Sequence, residues 1–140
     1  MSGNDPDPGD LAQQYVDGWN ERDASKLVNL FSSTITWDGK ERTRDDLAES
    51  NNFAAWWEAF TDFQLDLDRI VVDGREAAFR FTMTGSHEGQ FLGLKPTGET
   101  IEVSEMIMIS VDNEGINELW FEWDELGFYS QLESIEHPLG

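Results

Sequence analysis

Hydrophobic positions follow two different periods along the chain, and the period changes near residue 64. Before that point they recur every three to four residues, which is typical of amphipathic helices. After it they alternate with polar residues, which predicts β-strands. Helices followed by an antiparallel meander are typical of an α+β domain. Because strongly twisted sheets curl, we expect a pocket between the helices and a curved antiparallel sheet.

Three helices are predicted before residue 64. The first follows Asp10, which can cap its amino end, and its inward stripe is Leu11, Tyr15, Val16 and Trp19. A second, short helix starts after Asp23 and is expected to bury Leu27, Leu30 and Phe31. The third begins at a capping-box pattern in residues 43–46 and runs to about Phe60. Its candidates for burial are Leu47, Phe53, Ala54, Trp57 and Phe60.

Five strands are predicted around and after these helices. The first is short, over residues 32–39, with Ile35 and Trp37 on one face. The other four cover residues 64–73, 75–87, 99–112 and 116–124. Asp-Gly at 73–74 is a hairpin signal, and a Gly/Pro loop is expected at 89–98. Residues 125–135 complete the domain as a short helix or tail.

The stretch 116–127 places carboxylates beside large apolar side chains. In a strand, Trp120, Glu122 and Asp124 share one face, because side chains alternate. A carboxylate beside apolar bulk or a second carboxylate has a raised pKa and can transfer protons near neutral pH. The alternative is that both carboxylates are solvated at the end of a strand, and the spacing leaves both interpretations open. The other face has the pattern of plain core: Asn117, Leu119, Phe121 and Trp123.

Two more ionisable residues lie on alternating rows. His87 ends the row that contains Phe81 and Met83, where a neutral imidazole could hold a substrate or relay a proton. It could instead simply bond to the backbone. Glu105 lies on the same face of its strand as Ile107. If that face is inward, Glu105 faces a pocket; if the opposite face, which carries Met106, is inward, Glu105 faces solvent. Six tryptophans and nine phenylalanines fit an aromatic-lined pocket, or only a core.

The charge balance restricts the classes of partner. The 29 acidic residues outnumber the 9 basic ones and give a net charge of -20, which disfavours binding to nucleic acid. Because molar salt screens such repulsion, we interpret the acidity as adaptation to a salt-rich cytoplasm. There is no cysteine and there are only two histidines, so we expect no metal site. The sequence contains no apolar run long enough to predict a membrane span, and no signal peptide is predicted.

Three segments resemble those of a known family. Residues 84–98, TGSHEGQFLGLKPTG, are similar to the loop signature of the SnoaL-like polyketide cyclases. Residues 116–132, which contain INELW and WDELG, resemble that family's ending. Residues 15–23, YVDGWNERD, are similar to its first helix and the turn after it. The order and spacing hold from about residue 11 to 132.

The resemblance implies a fold, a chemistry and a set of roles. The fold is the cone shared with nuclear transport factor two, ketosteroid isomerase and scytalone dehydratase, and the chemistry is an intramolecular aldol ring closure without metal or cofactor. Asp124 matches the catalytic acid/base of the family and His87 the histidine of its loop signature. Trp120 and Tyr15 match pocket positions. The chain departs from the family pattern at Glu105, where relatives usually have a small residue, and also at Asp38 and Lys95.

We therefore predict a loose tail at residues 1–9 and one α+β cone at 10–140, a cytoplasmic homodimer joined through the outer sheet face. The expected activity is cofactor-free acid/base catalysis on a small apolar carbonyl compound, with Asp124 and His87 catalytic. Asp124 is the expected base, and either His87 or Tyr15 donates a hydrogen bond to the oxygen that gains charge. A related dehydratase or isomerase, or a non-catalytic binding module, is the alternative. The expected pocket residues are Tyr15, Trp19, Trp37, Trp57, Phe91, Glu105, Trp120 and Glu122.

Overall fold

A six-stranded sheet covered on one face by helices forms the domain. The computed structural model describes residues 5–50, 52–91 and 93–133. The strands are β1 (Phe31–Trp37), β2 (Lys40–Thr43), β3 (Gln64–Asp73), β4 (Glu76–Ser86), β5 (Thr100–Val111) and β6 (Ile116–Trp123). The helices are α1 (Pro8–Asn20), α2 (Ala24–Val28), α3 (Arg44–Glu49), α4 (Asn52–Ala59) and α5 (Glu125–Leu132). The strand order is β2-β1-β6-β5-β4-β3.

The sheet is mixed, which corrects the expectation of a purely antiparallel sheet. The β3–β4–β5–β6 part is the predicted antiparallel meander. However, β1 runs parallel to β6, and the long segment between them, from β2 through α3 and α4 to β5, provides the crossover that a parallel pair needs. The β2 strand was missed, since its four residues are all exposed and show no alternation. It follows β1 through a tight turn in which Asp38 and Gly39 both have positive φ.

The amino-terminal helices begin and end differently from the prediction. The α1 helix starts at Pro8, and its cap is Asp7 rather than Asp10, with the Asp7 carboxylate accepting from the Gly9 amide at 2.8 Å. Proline at the first helical position suits this start, because its φ is already helical. Asp5 pairs with Arg75 at 2.9 Å, so the part of the predicted loose tail that is described is attached to the domain.

The predicted third helix is two helices. The capping box at Thr43 and Asp46 forms as expected and starts α3. Ser50 then adopts an extended backbone with ψ 149, which ends that helix before α4 begins. Phe31, expected at the end of the second helix, is the first residue of β1. Ile135, expected in the closing helix, lies outside the described residues, as does Leu92 of the Gly/Pro loop.

The core lies between the helices and the face of the sheet that they cover. The predicted inward row of β4 is confirmed, since Ala77, Phe79, Phe81 and Met83 are all buried. Burial of each large side chain stabilises the fold by about 1.5–3 kcal/mol relative to exposure. The β5 row that contains Ile107 is inward too, which settles the direction in which Glu105 points. No helix of the described residues has the length and apolar character needed to cross a membrane.

Candidate active site

A cavity of about 210 Å³ lies between α1, α4 and the helix-covered face of the sheet. Its walls are mainly aromatic and aliphatic, and the side chains that add polar groups are those of Tyr15, Asn52, Glu105 and the indoles. Such an apolar cavity with few polar groups is the usual form of a small-molecule site. The lining residues are Tyr15, Trp19, Trp37, Asn52, Phe53, Trp56, Phe63, Leu65, Phe81, Met83, Glu105, Ile107, Leu119, Phe121 and Trp123.

Glu105 is the carboxylate of this cavity. It lies in the middle of β5, directly between Phe81 on β4 and Trp123 on β6, which share its face of the sheet. Within the described residues its carboxylate forms no hydrogen bond or ion pair. Burial in these apolar surroundings raises the pKa of Glu105 from 4.5 to about 7. The group can therefore exchange a proton near neutral pH.

Tyr15 brings a hydroxyl to the same cavity from α1. It is buried, and its ring packs edge-on against Phe79 with centroids 5.7 Å apart. Burial raises the pKa of the Tyr15 hydroxyl well above its ordinary value of 10, and the nearby Glu105 charge raises it further. Because the hydroxyl therefore keeps its proton, it can donate a hydrogen bond to an oxygen that gains negative charge.

The helix-side wall is a packed set of aromatic rings. Trp19 lines the cavity, whereas Trp57, predicted for the pocket, lies behind it with ring centroids 5.4 Å apart. The Trp57 indole N–H donates to the Trp19 carbonyl at 3.0 Å and fixes the two helices to each other. Phe91, also predicted for the pocket, packs behind Trp56 at 4.6 Å. Trp57 and Phe91 therefore support the wall rather than form it.

The cavity has its mouth beside β1 and α4. Trp37 and Asn52 line both the cavity and a neighbouring open groove, and Arg42 and Ser50 line the groove alone. Trp37 was expected at the pocket, and the structure places it there. Its position at the end of β1 allows one indole to border both spaces.

Asp124 does not line the cavity. It is the amino-terminal cap of α5, and its carboxylate accepts from the Gly127 amide at 2.9 Å. A Cβ on Gly127 would clash with that carboxylate, so the cap in this geometry favours glycine three residues later. The D-x-x-G part of the WDELG motif thus has a local structural reason. Asp124 lines an outer groove together with Arg80 and Glu122, and not the cavity.

His87 is completely buried outside the cavity wall. Its Nδ1 accepts from the Thr97 amide at 3.2 Å, so the ring proton is on Nε2. In the described parts of the chain Nε2 is buried without a hydrogen-bond partner. The ring lies 5.3 Å from Phe60 at the end of α4, where Gly89 also approaches, leaving no room for a Cβ beside the Glu58 carbonyl. This part of the loop signature therefore seats α4 against the sheet.

Trp120 and Glu122 point away from the cavity. Trp120 is 39% exposed, and its indole N–H donates to the Glu118 carboxylate. Glu122 lies opposite Met106 on the outer face. The face of β6 that was expected to be plain core is the one that lines the cavity, through Leu119, Phe121 and Trp123. The alternation of β6 was predicted correctly, but the face that lines the cavity is the one expected to be core.

Several lining residues were not among the predicted site residues, and Trp56 is the clearest example. It lies three residues after Phe53 and four before Phe60, so the helical stripe alone would have placed it inward. Asn52 carried no such signal, because its position depends on the break between α3 and α4. Glu105 was recognised as a candidate, and only the direction of its strand face was undecided.

The family model of the SnoaL-like polyketide cyclases matches residues 9–132. It therefore covers every element from the first turn of α1 to the end of α5. Among curated proteins no match was found. The predicted resemblance is confirmed over nearly the whole chain.

Solved structures share the fold at low identity. A SnoaL-like protein from Jannaschia, named as a candidate polyketide cyclase, has a TM-score of 0.78 at 17% identity and covers 99% of this chain and 98% of its own. IdmH from Streptomyces antibioticus, another candidate cyclase, gives 0.75 at 24%, with 90% and 98% covered. AclR from Streptomyces galilaeus, a candidate hydroxylase, gives 0.77 at 22%, with 91% and 82% covered. Their different names indicate that the fold does not select a reaction.

Proposed function

Since the chain belongs to the SnoaL-like polyketide cyclase family, we propose that it is an acid/base enzyme acting on a small carbonyl compound. The reaction is removal of a proton from the carbon next to a carbonyl group, followed by an intramolecular aldol ring closure. Glu105 is the base, in place of the predicted Asp124. Tyr15, rather than His87, is the hydrogen-bond donor; the sequence had left both residues as candidates for this role.

The proposed steps use two side chains that face one cavity. Glu105 removes the proton, and the electron pair of the broken C–H bond moves to the carbonyl oxygen, giving an enolate. Tyr15 donates a hydrogen bond to that oxygen as it gains charge. The enolate carbon then attacks a second carbonyl group of the same molecule and forms the new C–C bond. The alkoxide formed takes the proton back from Glu105, so the enzyme returns to its starting state.

One observation carries this proposal: the Glu105 carboxylate lies among aromatic side chains in the cavity and has no hydrogen-bonding or ionic partner among the described residues. A solvated carboxylate is too weak a base for a carbon acid, and a group with a pKa near the working pH is better matched to proton transfer. Burial supplies that match for Glu105. Neither Asp124 nor His87 reaches this space.

Hydrogen–deuterium exchange tests the first step without knowledge of the natural substrate. Acetophenone has exchangeable methyl protons next to its carbonyl group, and their exchange in D₂O is measured by NMR. We expect the wild-type protein to accelerate exchange and Glu105→Gln to lower the enzymatic rate at least about a hundredfold, the low end for loss of a general base. Exchange by Glu105→Gln at the wild-type rate would overturn the proposal.

Two matched variants serve as controls. Glu122→Gln removes the same type of charge from the outer face of the adjacent strand, and Asp124→Asn alters the predicted acid/base while an amide can still cap α5. Both are expected to exchange acetophenone at the wild-type rate. Loss of exchange in Asp124→Asn would return the catalytic role to that residue. Binding of acetophenone without any exchange would favour a binding module.

A further inference from the structure

The ionisable side chains on the cavity wall are of one kind. Of the described residues that line it, Glu105 and Tyr15 can lose a proton, and none is a lysine, arginine or histidine. Four tryptophans and four phenylalanines supply most of the remaining wall. A ligand in this space therefore meets one carboxylate and many rings, but no cation.

We propose that this site takes an uncharged carbonyl compound, inserts one or two of its rings, and excludes carboxylates. The inference rests on the proposed function for the carbonyl group, whereas the selection against negative charge follows from the wall alone. Two negative charges in one poorly solvated cavity repel each other far more strongly than in water. Tyr15 and Asn52 can bond to a carbonyl oxygen, but neither can neutralise a carboxylate.

The groups around Glu105 do not offset its charge. Beyond the cavity, the outer groove at the same point of β5 holds Arg80, Glu122 and Asp124. Arg80 is engaged by Asp68 at 2.5 Å. The remaining two groups are acidic and add to the repulsion of an anion. On the Trp37 side, Arg42 lines the adjoining groove and not the cavity.

The volume limits what can be inserted. An apolar cavity of about 150 Å³ holds benzene, so about 210 Å³ accommodates one ring or a compact pair of rings. A longer molecule can continue past Trp37 and Asn52, which line both the cavity and the open groove. The reacting carbonyl group is then on the inserted part, between Tyr15 and Glu105.

Acetophenone and benzoate form a matched pair for the test. Both consist of a phenyl ring and a carbonyl carbon, but benzoate has a negative oxygen where acetophenone has a methyl group. Dissociation constants are measured by calorimetry in molar KCl, where the general repulsion from a net charge of -20 is screened. At about pH 9, we expect benzoate to bind at least about tenfold more weakly than acetophenone.

The same measurement on Glu105→Gln isolates the cause. In this variant the ratio of the benzoate to the acetophenone dissociation constant is expected to fall below about threefold, because the second negative charge is gone. In Glu122→Gln, which loses a charge outside the cavity, it is expected to remain. Lowering the pH to about 5.5 should also tighten benzoate binding to the wild type, since Glu105 then carries a proton, but not to Glu105→Gln.

The outcomes separate this inference from the proposed function. Equal binding of benzoate and acetophenone to the wild type at about pH 9, with normal proton exchange, would overturn the charge selection and leave the enzyme proposal intact. The expected selectivity without any exchange would support the inference and overturn the enzyme proposal. Discrimination that is the same in Glu105→Gln as in the wild type would also overturn the inference, because its source would lie elsewhere.

Discussion

Tyr15 on α1 and Glu105 on β5 face the same cavity, one from the helices and the other from the sheet. The negative charge of Glu105 adds to burial in raising the pKa of the Tyr15 hydroxyl. The pair therefore consists of a carboxyl group that can change its protonation state and a hydroxyl group that cannot. This division suits proton removal by one residue and hydrogen-bond donation by the other.

Replacing Tyr15 by phenylalanine tests the proposed donor. The ring keeps its edge-on contact with Phe79, so we expect the melting temperature to change little. Acetophenone exchange should fall at least about tenfold, because loss of one donor to a developing oxyanion commonly costs more than that. Tyr129→Phe is the control, since Tyr129 packs on Phe128 outside the cavity. Equal exchange rates in both variants would exclude the Tyr15 hydroxyl from the mechanism.

Asp124 is expected to act on stability through the α5 cap. Asp124→Ala removes the acceptor for the Gly127 amide and should lower the free energy of unfolding by about 1 kcal/mol. Asp124→Asn retains a capping side chain and should stay close to the wild type. Urea denaturation measures both variants. If alanine and asparagine have the same effect, the hydrogen bond to Gly127 does not stabilise the helix.

The strand pattern and the resemblance were sufficient for most of the fold. The β4 row is clean because Phe79 and Phe81 must face the helices, and a slip by one residue would expose both. The parallel pairing of β1 with β6 could not be predicted in this way, because strands so far apart in sequence leave no local signal of their pairing. The β2 strand lacks apolar positions altogether.

The site was harder to predict from the sequence than the fold. A carboxylate next to tryptophan has the same pattern whether the strand face is concave or convex, so Glu122 and Trp120 were placed in the pocket although they face outward. Asp124 follows β6, and at that point the chain starts α5, so strand parity no longer decides where its side chain points. Glu105 was ambiguous only until the inward row of β5 was known.

Stability is expected to depend strongly on salt. The net charge of -20 gives long-range repulsion in dilute buffer, whereas in molar KCl the screening length is about 3 Å. We predict that the melting temperature rises markedly between low salt and molar KCl, measured by scanning calorimetry. Potassium glutamate at equal ionic strength is the control for specific effects of chloride. A constant melting temperature would contradict adaptation to salt.

The outer face of the sheet is expected to join two copies of the chain. Val71, Ala78, Met108 and Trp120 are successive cross-strand neighbours, so one partly apolar row spans β3 to β6. Three of these side chains are well exposed, and a sheet of a second copy could cover them. Light scattering in molar KCl should give twice the chain mass of 16.0 kDa.

A charged substitution in this outer row of side chains tests the predicted dimer. Met108→Asp is expected to give the mass of one chain under the same conditions, because dimer formation would bury an unpaired carboxylate. Gln90→Glu adds one negative charge on the exposed loop away from the sheet and should leave the dimer intact. A wild-type protein of 16.0 kDa in molar KCl would refute the predicted dimer.

Glu105 is also expected to make stability depend on pH. Its pKa in the folded protein is raised from 4.5 to about 7. Between these two values the folded state binds more protons than the unfolded state, so stability falls as the pH rises through this range and then levels off. The shift corresponds to about 3 kcal/mol, since one pKa unit is worth about 1.36 kcal/mol.

Comparing Glu105→Gln with the wild type isolates this contribution from the other acidic residues. The variant cannot ionise at this position, so its advantage over the wild type in free energy of unfolding should grow from about pH 5 to about pH 8 by about 2–3 kcal/mol. Urea denaturation in molar KCl measures the difference at each pH. Glu122→Gln, on the outer face, should show no such trend relative to the wild type. Parallel curves for Glu105→Gln and the wild type would mean that the carboxyl group is well solvated, and the base proposed for the cavity would lose its physical basis.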